Sequence, residues 1–156
     1  DMTVFYHNPV RRPEEERRYG LRYCQDLPSA LKVADFLSVH TPLTPATHHM
    51  IGREQLRMMK PSSILVNSAR GSVVDIQALF EALRDGVIAG AGLDVTEPEP
   101  IPVNHPLLTL ANVVVTPHIG SASLETRKQM ALLAARNILA RLKGEDMPTC
   151  LNPRVF

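Results

Sequence analysis

Short continuous apolar runs alternate along this chain with segments of helical periodicity, and this alternation constrains the fold more than any other feature. The runs ILV (64–66) and VVV (113–115) have the uninterrupted apolar character of strands buried on both faces of a parallel sheet. Strands and helices in alternation imply parallel strands joined by crossover helices. The sequence therefore predicts an α/β protein.

Apolar periodicity, prolines and capping residues place the elements. Strands are expected at Thr3–Tyr6, Leu21–Cys24, Asp35–His40, Ser62–Val66, Val87–Leu93 and Asn112–Val115. Helices are expected at Pro13–Tyr19, from the N-cap Asp26 to Val33, at Asp75–Arg84 and from about Ser121 to Lys143. One face of the third helix is apolar, with Ile76, Leu79, Phe80 and Leu83. Ser121 is expected to cap the last helix and Gly144 to end it.

Composition excludes several classes of protein. A length of 156 residues fits one domain, and 44% hydrophobic with 21% charged residues is typical of a globular one. A net charge of +1 argues against a nucleic-acid or membrane partner. Cys24 and Cys150 have no spacing typical of a metal site, so we expect no metal, and they fit the reducing cytoplasm. The chain opens directly in a strand-like run, which we interpret as a fragment.

Polar residues follow the predicted strands, where ligands bind in open α/β sheets. Arg70 in NSARG, where Gly71 lets the chain turn, offers a planar donor fork that suits a carboxylate. Taken alone, this residue is more often explained as a surface Arg that pairs with an Asp or Glu. Three carboxylates follow the next strand in LDVTEPEP, which could also be a solvated acidic loop. His118 follows the last strand, and a neighbouring carboxylate would make it a general acid. The other histidines are expected to have no role: His7, His40, His48, His49 and His105.

The order of three long motifs resembles the D-isomer-specific 2-hydroxyacid dehydrogenases, and within them most closely the glyoxylate/hydroxypyruvate reductases. The motifs are NSARG, VVDIQALFEALRDGVIAGAGLDVTEPEP and HPLLTLANVVVTPHIGSAS, and the similarity runs from about Val4 to the end of the chain. The resemblance implies a Rossmann-type, doubly wound parallel sheet. It also implies hydride transfer from NAD(P)H to a small 2-keto acid such as glyoxylate or hydroxypyruvate.

The resemblance further implies roles for individual residues. Arg70 would bind the substrate carboxylate, His118 would be the acid/base, and Glu99 would hold the imidazole, while Glu97 is expected to be a surface residue. The cofactor contacts that the family and the strand ends imply are Asn8, Arg11, Arg12, Thr41, Ser68, Ala69, Asp94 and Gly120.

The phosphate-binding GxGxxG loop of the family is missing from this sequence. Gly90-Ala91-Gly92 resembles its opening, but it lies within a predicted strand and Val95 takes the place of the third glycine. Residues 1–145 are therefore expected to be a partial NAD(P)-binding domain, and 146–156 a tail that returns toward an absent substrate domain. Without the central first strand, each neighbouring strand would have an unpaired edge. We expect such a chain alone to melt at low temperature and to be weakly active or inactive.

The end of the first predicted strand bears on the choice of cofactor. Enzymes that prefer NAD place an acidic residue there to bind the ribose 2′-hydroxyl. This sequence has Asn8, followed by Arg11 and Arg12, which suits the extra phosphate of NADP. The alternative is that these arginines pair with Glu14 to Glu16.

Two alternatives to a metabolic enzyme stay open. The family includes corepressor-like, nicotinamide-sensing scaffolds that keep the Arg, Glu and His. The second alternative is a truncated product that only forms a homodimer. Apolar residues of the last helix would then be dimer contacts, but they could equally be plain core: Met130, Leu133, Ala134 and Ile138.

Overall fold

A computed structural model describes residues 2–153 and divides the chain into two compact units, one ending at Pro117 and the other beginning at His118. Arg154, Val155 and Phe156, the end of the tail expected to return toward a substrate domain, lie outside the described residues. The expected domain boundary near residue 145 stays a prediction.

The first unit alternates strands and helices as the sequence predicts. Its strands are β1 (Phe5–Tyr6), β2 (Arg22–Tyr23), β3 (Phe36–Val39), β4 (Ile64–Asn67), β5 (Gly90–Leu93) and β6 (Val113–Val115). Its helices are α1 (Pro13–Tyr19), α2 (Leu27–Val33), α3 (Arg53–Met58) and α4 (Ile76–Arg84), with 3₁₀ helices at Gly71–Val73 and Pro106–Thr109. The predicted N-cap Asp26 is confirmed, because its side chain accepts a hydrogen bond of 2.7 Å from Ser29 N.

The strands form two parallel sheets instead of one. β1 pairs with β2, and a separate sheet has the order β3-β4-β5-β6. Within residues 2–153, the outer strands β1, β2, β3 and β6 thus each have one unpaired edge, and β1 and β3 are the two for which the sequence predicted it. Phe36 on β3 is 64% exposed, because its side chain lies on the face of the larger sheet opposite to Leu37 and the core.

The core lies on one face of the larger sheet. Leu65 on β4 and Leu93 on β5 are buried together with Leu31 of α2, Leu56 of α3 and Leu79 of α4. Burial on both faces, which the continuous apolar runs predicted, is wrong for this chain. Alternate residues of β4 are only half-buried, and Val114 of β6 is 66% exposed, because the described helices that pack on the core cover one face.

Three local features of the fold, in β5, α3 and the Gly90 segment, bear on the sequence predictions. The strand expected from Val87 begins only at Gly90, because Val87 N bonds Ala82 O and closes the end of α4. The helix α3 was not predicted, since its six residues are too few to show a clear period. Gly90-Ala91-Gly92 does lie within β5, so its rejection as a phosphate loop is confirmed.

The second unit contains one long helix, α5 (Leu124–Leu142). Ser123, and not the predicted Ser121, is its N-cap, because the chain still turns at Ile119 to Ala122 and the Ser123 hydroxyl accepts from Thr126 N at 3.2 Å. Gly144 follows the helix end with φ of 75°, as predicted for a left-handed C-terminal glycine. In residues 2–153, no helix has the length and apolar character needed to cross a membrane.

Candidate active site

The segments that follow β4, β5 and β6 emerge at one edge of the sheet. The register aligns Asn67 with Leu93, and Leu93 with Val115, so these strands end side by side. Asp94 N bonds Asn67 O at 2.9 Å, and Thr116 N bonds Leu93 O at 2.8 Å, which continues the alignment past the strand ends. The prediction that polar segments converge at the carboxyl edge is confirmed for these three strands.

Arg70 is presented by a loop that the buried Asn67 side chain organises. Asn67 Nδ2 donates to Arg70 O at 2.9 Å, and Asn67 Oδ1 accepts from Ala69 N at 3.1 Å. The exposed Arg70 side chain donates from Nη1 to Ala69 O at 2.6 Å. Within residues 2–153, ion pairs of other arginines are found, such as Arg11 with Glu16 and Arg53 with Glu81, but none of Arg70. The guanidinium of Arg70 is thus positioned by backbone contacts and can bind an external carboxylate.

Gly71 lets the Arg70 loop approach the segment after β5. A Cβ on Gly71 would lie 2.0 Å from Thr96 O, a distance no real contact allows. The sequence indicated only a turn at this glycine, whereas its physical role is close backbone approach. Only glycine therefore keeps Arg70 next to the loop that carries the carboxylates.

The loop after β5 holds its carboxylates in different ways. Thr116 Oγ1 donates to the half-buried Asp94 at 2.5 Å, which links the ends of β5 and β6. Glu99 is exposed, and its Oε2 accepts from Thr96 N at 3.4 Å. Thr96 is itself buried, with its hydroxyl donating to Pro98 O at 2.9 Å. The peptide bonds before Pro98 and Pro100 are cis. Asp94 and Glu99 thus belong to one hydrogen-bonded loop beside Arg70.

Glu97 was expected to be a plain surface residue, but the structure gives it specific contacts. Its side chain is 37% exposed, and Oε2 lies 2.9 Å from His49 Nε2. Hydrogen bonds from Ser72 and His49 hold the pKa of Glu97 below its ordinary value. Spacing alone could not reveal this contact, because the two residues are 48 positions apart.

His118 is the first residue of the second unit. It is exposed, and its φ of 54° is left-handed, a conformation that few residues other than glycine adopt. Such a backbone at a candidate catalytic residue is consistent with a functional constraint. Glu99 lies in the first unit, so the contact of Glu99 with His118 stays a prediction.

Thr41, one of the predicted cofactor contacts, has a buried hydroxyl group that fits a bound ligand. It lies just beyond the end of β3, and Val39 is aligned with Asn67 of β4. Among the buried side-chain nitrogen and oxygen atoms of residues 2–153, its Oγ1 is the one without a hydrogen-bond partner. A buried polar atom of this kind is normally satisfied. A ligand at this edge would satisfy it, so the residues present fit a bound cofactor.

The residues proposed to select the cofactor lie after β1. Asn8 Nδ2 donates to Val10 O at 2.7 Å. Arg11 makes two bonds to Glu16, at 2.9 and 2.8 Å, and Arg12 lies 3.9 Å from Glu15. The pairing with the glutamates, the alternative to phosphate binding, is therefore present in this structure.

These features agree with an NAD-binding oxidoreductase domain, and comparison with known proteins shows the family. The sequence family described as "D-isomer specific 2-hydroxyacid dehydrogenase, NAD binding domain" matches residues 1–120. The chain belongs to this family.

Individual relatives agree with this assignment. The chain is 54% identical to a "Glyoxylate/hydroxypyruvate reductase B" of Pectobacterium carotovorum, over 99% of this chain and 48% of that protein. It superposes on the TT0316 protein of Thermus thermophilus with a TM-score of 0.90 and 49% identity, covering 96% of this chain and 46% of the other. It superposes on an NAD-complexed D-isomer specific 2-hydroxyacid dehydrogenase of Lactobacillus delbrueckii with a TM-score of 0.82 and 38% identity. This match covers 92% of this chain and 46% of the other. The chain spans about half the length of these relatives.

Proposed function

We propose that this chain forms the catalytic half of an NAD(P)H-dependent reductase of small 2-keto acids, with glyoxylate and hydroxypyruvate as the first candidates. The observation that carries the proposal is the position of Arg70. Its guanidinium is exposed at the carboxyl edge of the sheet and donates to Ala69 O, while Asn67 holds the Arg70 backbone beside the loop of Asp94 and Glu99. The similarity to relatives named as glyoxylate/hydroxypyruvate reductases supports the choice of substrate.

The proposed mechanism assigns one task to each residue. Arg70 binds the substrate carboxylate through two parallel hydrogen bonds and polarises the neighbouring carbonyl. His118 donates a proton to the carbonyl oxygen, and Glu99 orients and stabilises the protonated imidazole. The reduced nicotinamide, when bound, supplies the hydride that the keto carbon accepts. One hydride and one proton convert the 2-keto acid to a 2-hydroxy acid.

We assign the cofactor to the same edge of the sheet. The unsatisfied hydroxyl of Thr41 and the half-buried carboxylate of Asp94 support this position. Backbone groups of Ser68 and Ala69 in the first unit, and of Gly120 in the second, complete the proposed contacts.

The form of the cofactor is a finer proposal. Asn8 is neutral where an NAD enzyme has an acidic residue, and this supports NADP. Arg11 would have to exchange Glu16 for the 2′-phosphate. Asn8→Asp is expected to raise the activity with NADH relative to NADPH in the complete polypeptide that contains these residues. An unchanged NADPH/NADH ratio would contradict the preference.

Homodimer formation is also proposed, on the evidence of α5. Met130, Leu133 and Ile138 are 53%, 40% and 61% exposed, and Ala134 is exposed as well, so these residues are not plain core in this structure. Sedimentation of the purified chain would separate a dimer from a monomer. The free thiols of Cys24 and Cys150 support the proposed cytoplasmic location, which cell fractionation can test.

The decisive experiment measures oxidation of NADPH and NADH with glyoxylate and hydroxypyruvate. It compares the 156-residue chain with a polypeptide extended upstream to include a phosphate loop. Turnover by the extended protein that His118→Gln abolishes and the matched control His105→Gln leaves intact would support the reductase. Arg70→Lys should raise KM, because a single ammonium cannot replace the two-pronged contact. Cofactor binding without reduction of either substrate would favour the nicotinamide-sensing scaffold instead.

A further inference from the structure

Three metal-ligating side chains meet outside the proposed active site. His48, His49 and Glu97 each place one ligand atom so that all three atoms lie within 4.8 Å of one another. The Nε2 atom of His49 is 2.9 Å from one oxygen of Glu97, and Nε2 of His48 is 4.0 Å from the other. The imidazole rings stack with their centroids 3.9 Å apart. Each histidine thus directs its own Nε2 atom at the carboxylate of Glu97.

The backbone around the two histidines holds them in this arrangement. His49 has a left-handed φ of 51°, and its N–H donates to Ser72 O at 2.7 Å. The preceding turn is closed by the Thr47 hydroxyl, which donates to Pro42 O at 2.6 Å, and by His48 N, which donates to Thr44 O at 3.0 Å. The imidazoles are therefore presented by a fixed turn, and little chain entropy remains to be lost when a ligand binds.

Glu97 reaches the histidines from a separate segment that is equally constrained. Its neighbour Thr96 is buried and lies against Gly71. Ser72, next to that glycine, shares a side-chain hydrogen bond with Glu97. The carboxylate is thus charged and aimed at the two imidazoles near neutral pH.

We propose that His48, His49 and Glu97 bind a divalent transition-metal ion, with Zn²⁺ as the preferred occupant. Two imidazole nitrogens and one carboxylate oxygen suit zinc, copper or nickel, whereas calcium and magnesium prefer oxygen ligands alone. Metal–ligand bonds of about 2.0–2.2 Å in a tetrahedral site separate the ligand atoms by about 3.3 Å. The two Nε2 atoms lie 2.9 and 4.0 Å from opposite oxygens of the Glu97 carboxylate, and three ligand atoms, one from each residue, already lie within 4.8 Å of one another. Small side-chain rotations complete the site, and water fills the remaining coordination.

Metal binding would connect two parts of the fold. The ion replaces the hydrogen that His49 and Glu97 now share, so the imidazole presents its Nε2 lone pair to the metal. The turn at residues 44–50 would then be joined to the loop after β5, in which Glu97 precedes Glu99 by two positions. The inference does not depend on the proposed reductase activity, because the three ligands take no part in that mechanism.

Isothermal titration calorimetry of the complete polypeptide with zinc sulfate alone, in a buffer that does not chelate metals, tests the site. We expect one Zn²⁺ to bind per chain. His49→Gln and Glu97→Gln should each weaken binding by about tenfold or more, since loss of even an outer-shell partner has an effect of that size. The matched control His105→Gln should bind zinc like the unchanged protein.

A second readout uses Co²⁺, whose visible absorption reports its coordination. We expect new absorption bands on titration and their loss in His48→Gln, a variant at an exposed position that should leave folding intact. Circular dichroism checks that each variant is folded. No zinc binding by the unchanged protein, or zinc binding that survives in His49→Gln and Glu97→Gln, overturns the proposal.

Discussion

Helices α4 and α5 show two outcomes for an apolar pattern in the same chain. In α4, Ala78, Leu79, Ala82 and Leu83 are buried, although the helix has only nine residues. In α5, which has nineteen residues, Ala140 is the buried one. Leu124 and Leu142, at the two ends of α5, are 88% and 78% exposed.

The difference teaches that an apolar face needs a partner close along the chain. Helix α4 connects β4 to β5, neighbouring strands of one sheet, so its apolar face packs on the strands that the adjacent chain supplies. Helix α5 follows the last strand, and the described part of the second unit contains no strand against which it could pack. The apolar periodicity of a helix thus predicts that it has an apolar face. The strands that the helix connects decide whether that face is buried within its own unit.

The largest expected effect is on the free energy of unfolding, when an apolar side chain is removed from the buried face of α4 or from the exposed face of α5. Leu79→Ala should lower the free energy of unfolding by about 2–5 kcal/mol, because it removes a fully buried side chain from the core. Leu133→Ala in α5 should change it by less than about 0.5 kcal/mol, as for other exposed positions. Urea unfolding followed by circular dichroism measures both. Equal losses would show that α5 is buried in solution, as in a dimer.

A smaller effect is expected where the Arg70 loop meets the loop after β5. Gly71→Ala should destabilise the protein by about 1–3 kcal/mol, because the added methyl group meets the Thr96 backbone. Gly92→Ala in β5 is the matched control, since a Cβ there meets nothing within 4 Å. Thermal melts of both variants give the comparison. If Gly71→Ala melts like the control, the close approach of the two loops does not exist in solution.

The N-cap residues of α4 and α5, Asp75 and Ser123, allow the stabilities of the two helices to be compared through a single side chain in each. Asp75 accepts hydrogen bonds from Gln77 N and Ala78 N, both at 3.0 Å, and Ser123 accepts one from Thr126 N. Asp75→Ala should cost about 1 kcal/mol. Ser123→Ala should reduce the helical circular-dichroism signal without moving the main unfolding transition, provided that α5 frays independently. A shift of that transition would mean that α5 unfolds together with the first unit.

The smallest expected effect is electrostatic and concerns Glu16 of α1, which contacts Tyr6 of β1 and Arg11. Hydrogen bonds from Arg11 and Tyr6 lower the pKa of Glu16 from 4.5 to about 2. A carboxyl whose pKa is lower in the folded state stabilises the protein above its unfolded pKa, and this contribution is lost as the pH falls from about 4.5 toward 2. Glu16→Gln should therefore lower Tm at pH 7 but not at pH 2. High salt should reduce the difference, because the pair is near the surface.

Spacing and capping signals in the sequence predicted the six strands, four of the five helices and the edge at which Arg70, Asp94 and Glu99 lie. These features depend on spacings within about ten residues, over which backbone geometry limits the choices. The wrongly predicted N-cap of α5 shows the limit of such local signals. Ser121 and Ser123 are equally good N-cap residues, and only the observed turn at Ile119 to Ala122 distinguishes them.

By itself, the sequence determined the alternation of strands and helices, and with it a parallel arrangement whose strand ends carry Arg70 and the carboxylates. Only the tertiary structure decided which distant residues meet, as in the contacts of Gly71 with Thr96 and of His49 with Glu97. It also left the Thr41 hydroxyl buried and unsatisfied. The physical reason is that periodicity and capping act within a few turns of chain, whereas contacts between loops depend on how whole strands align.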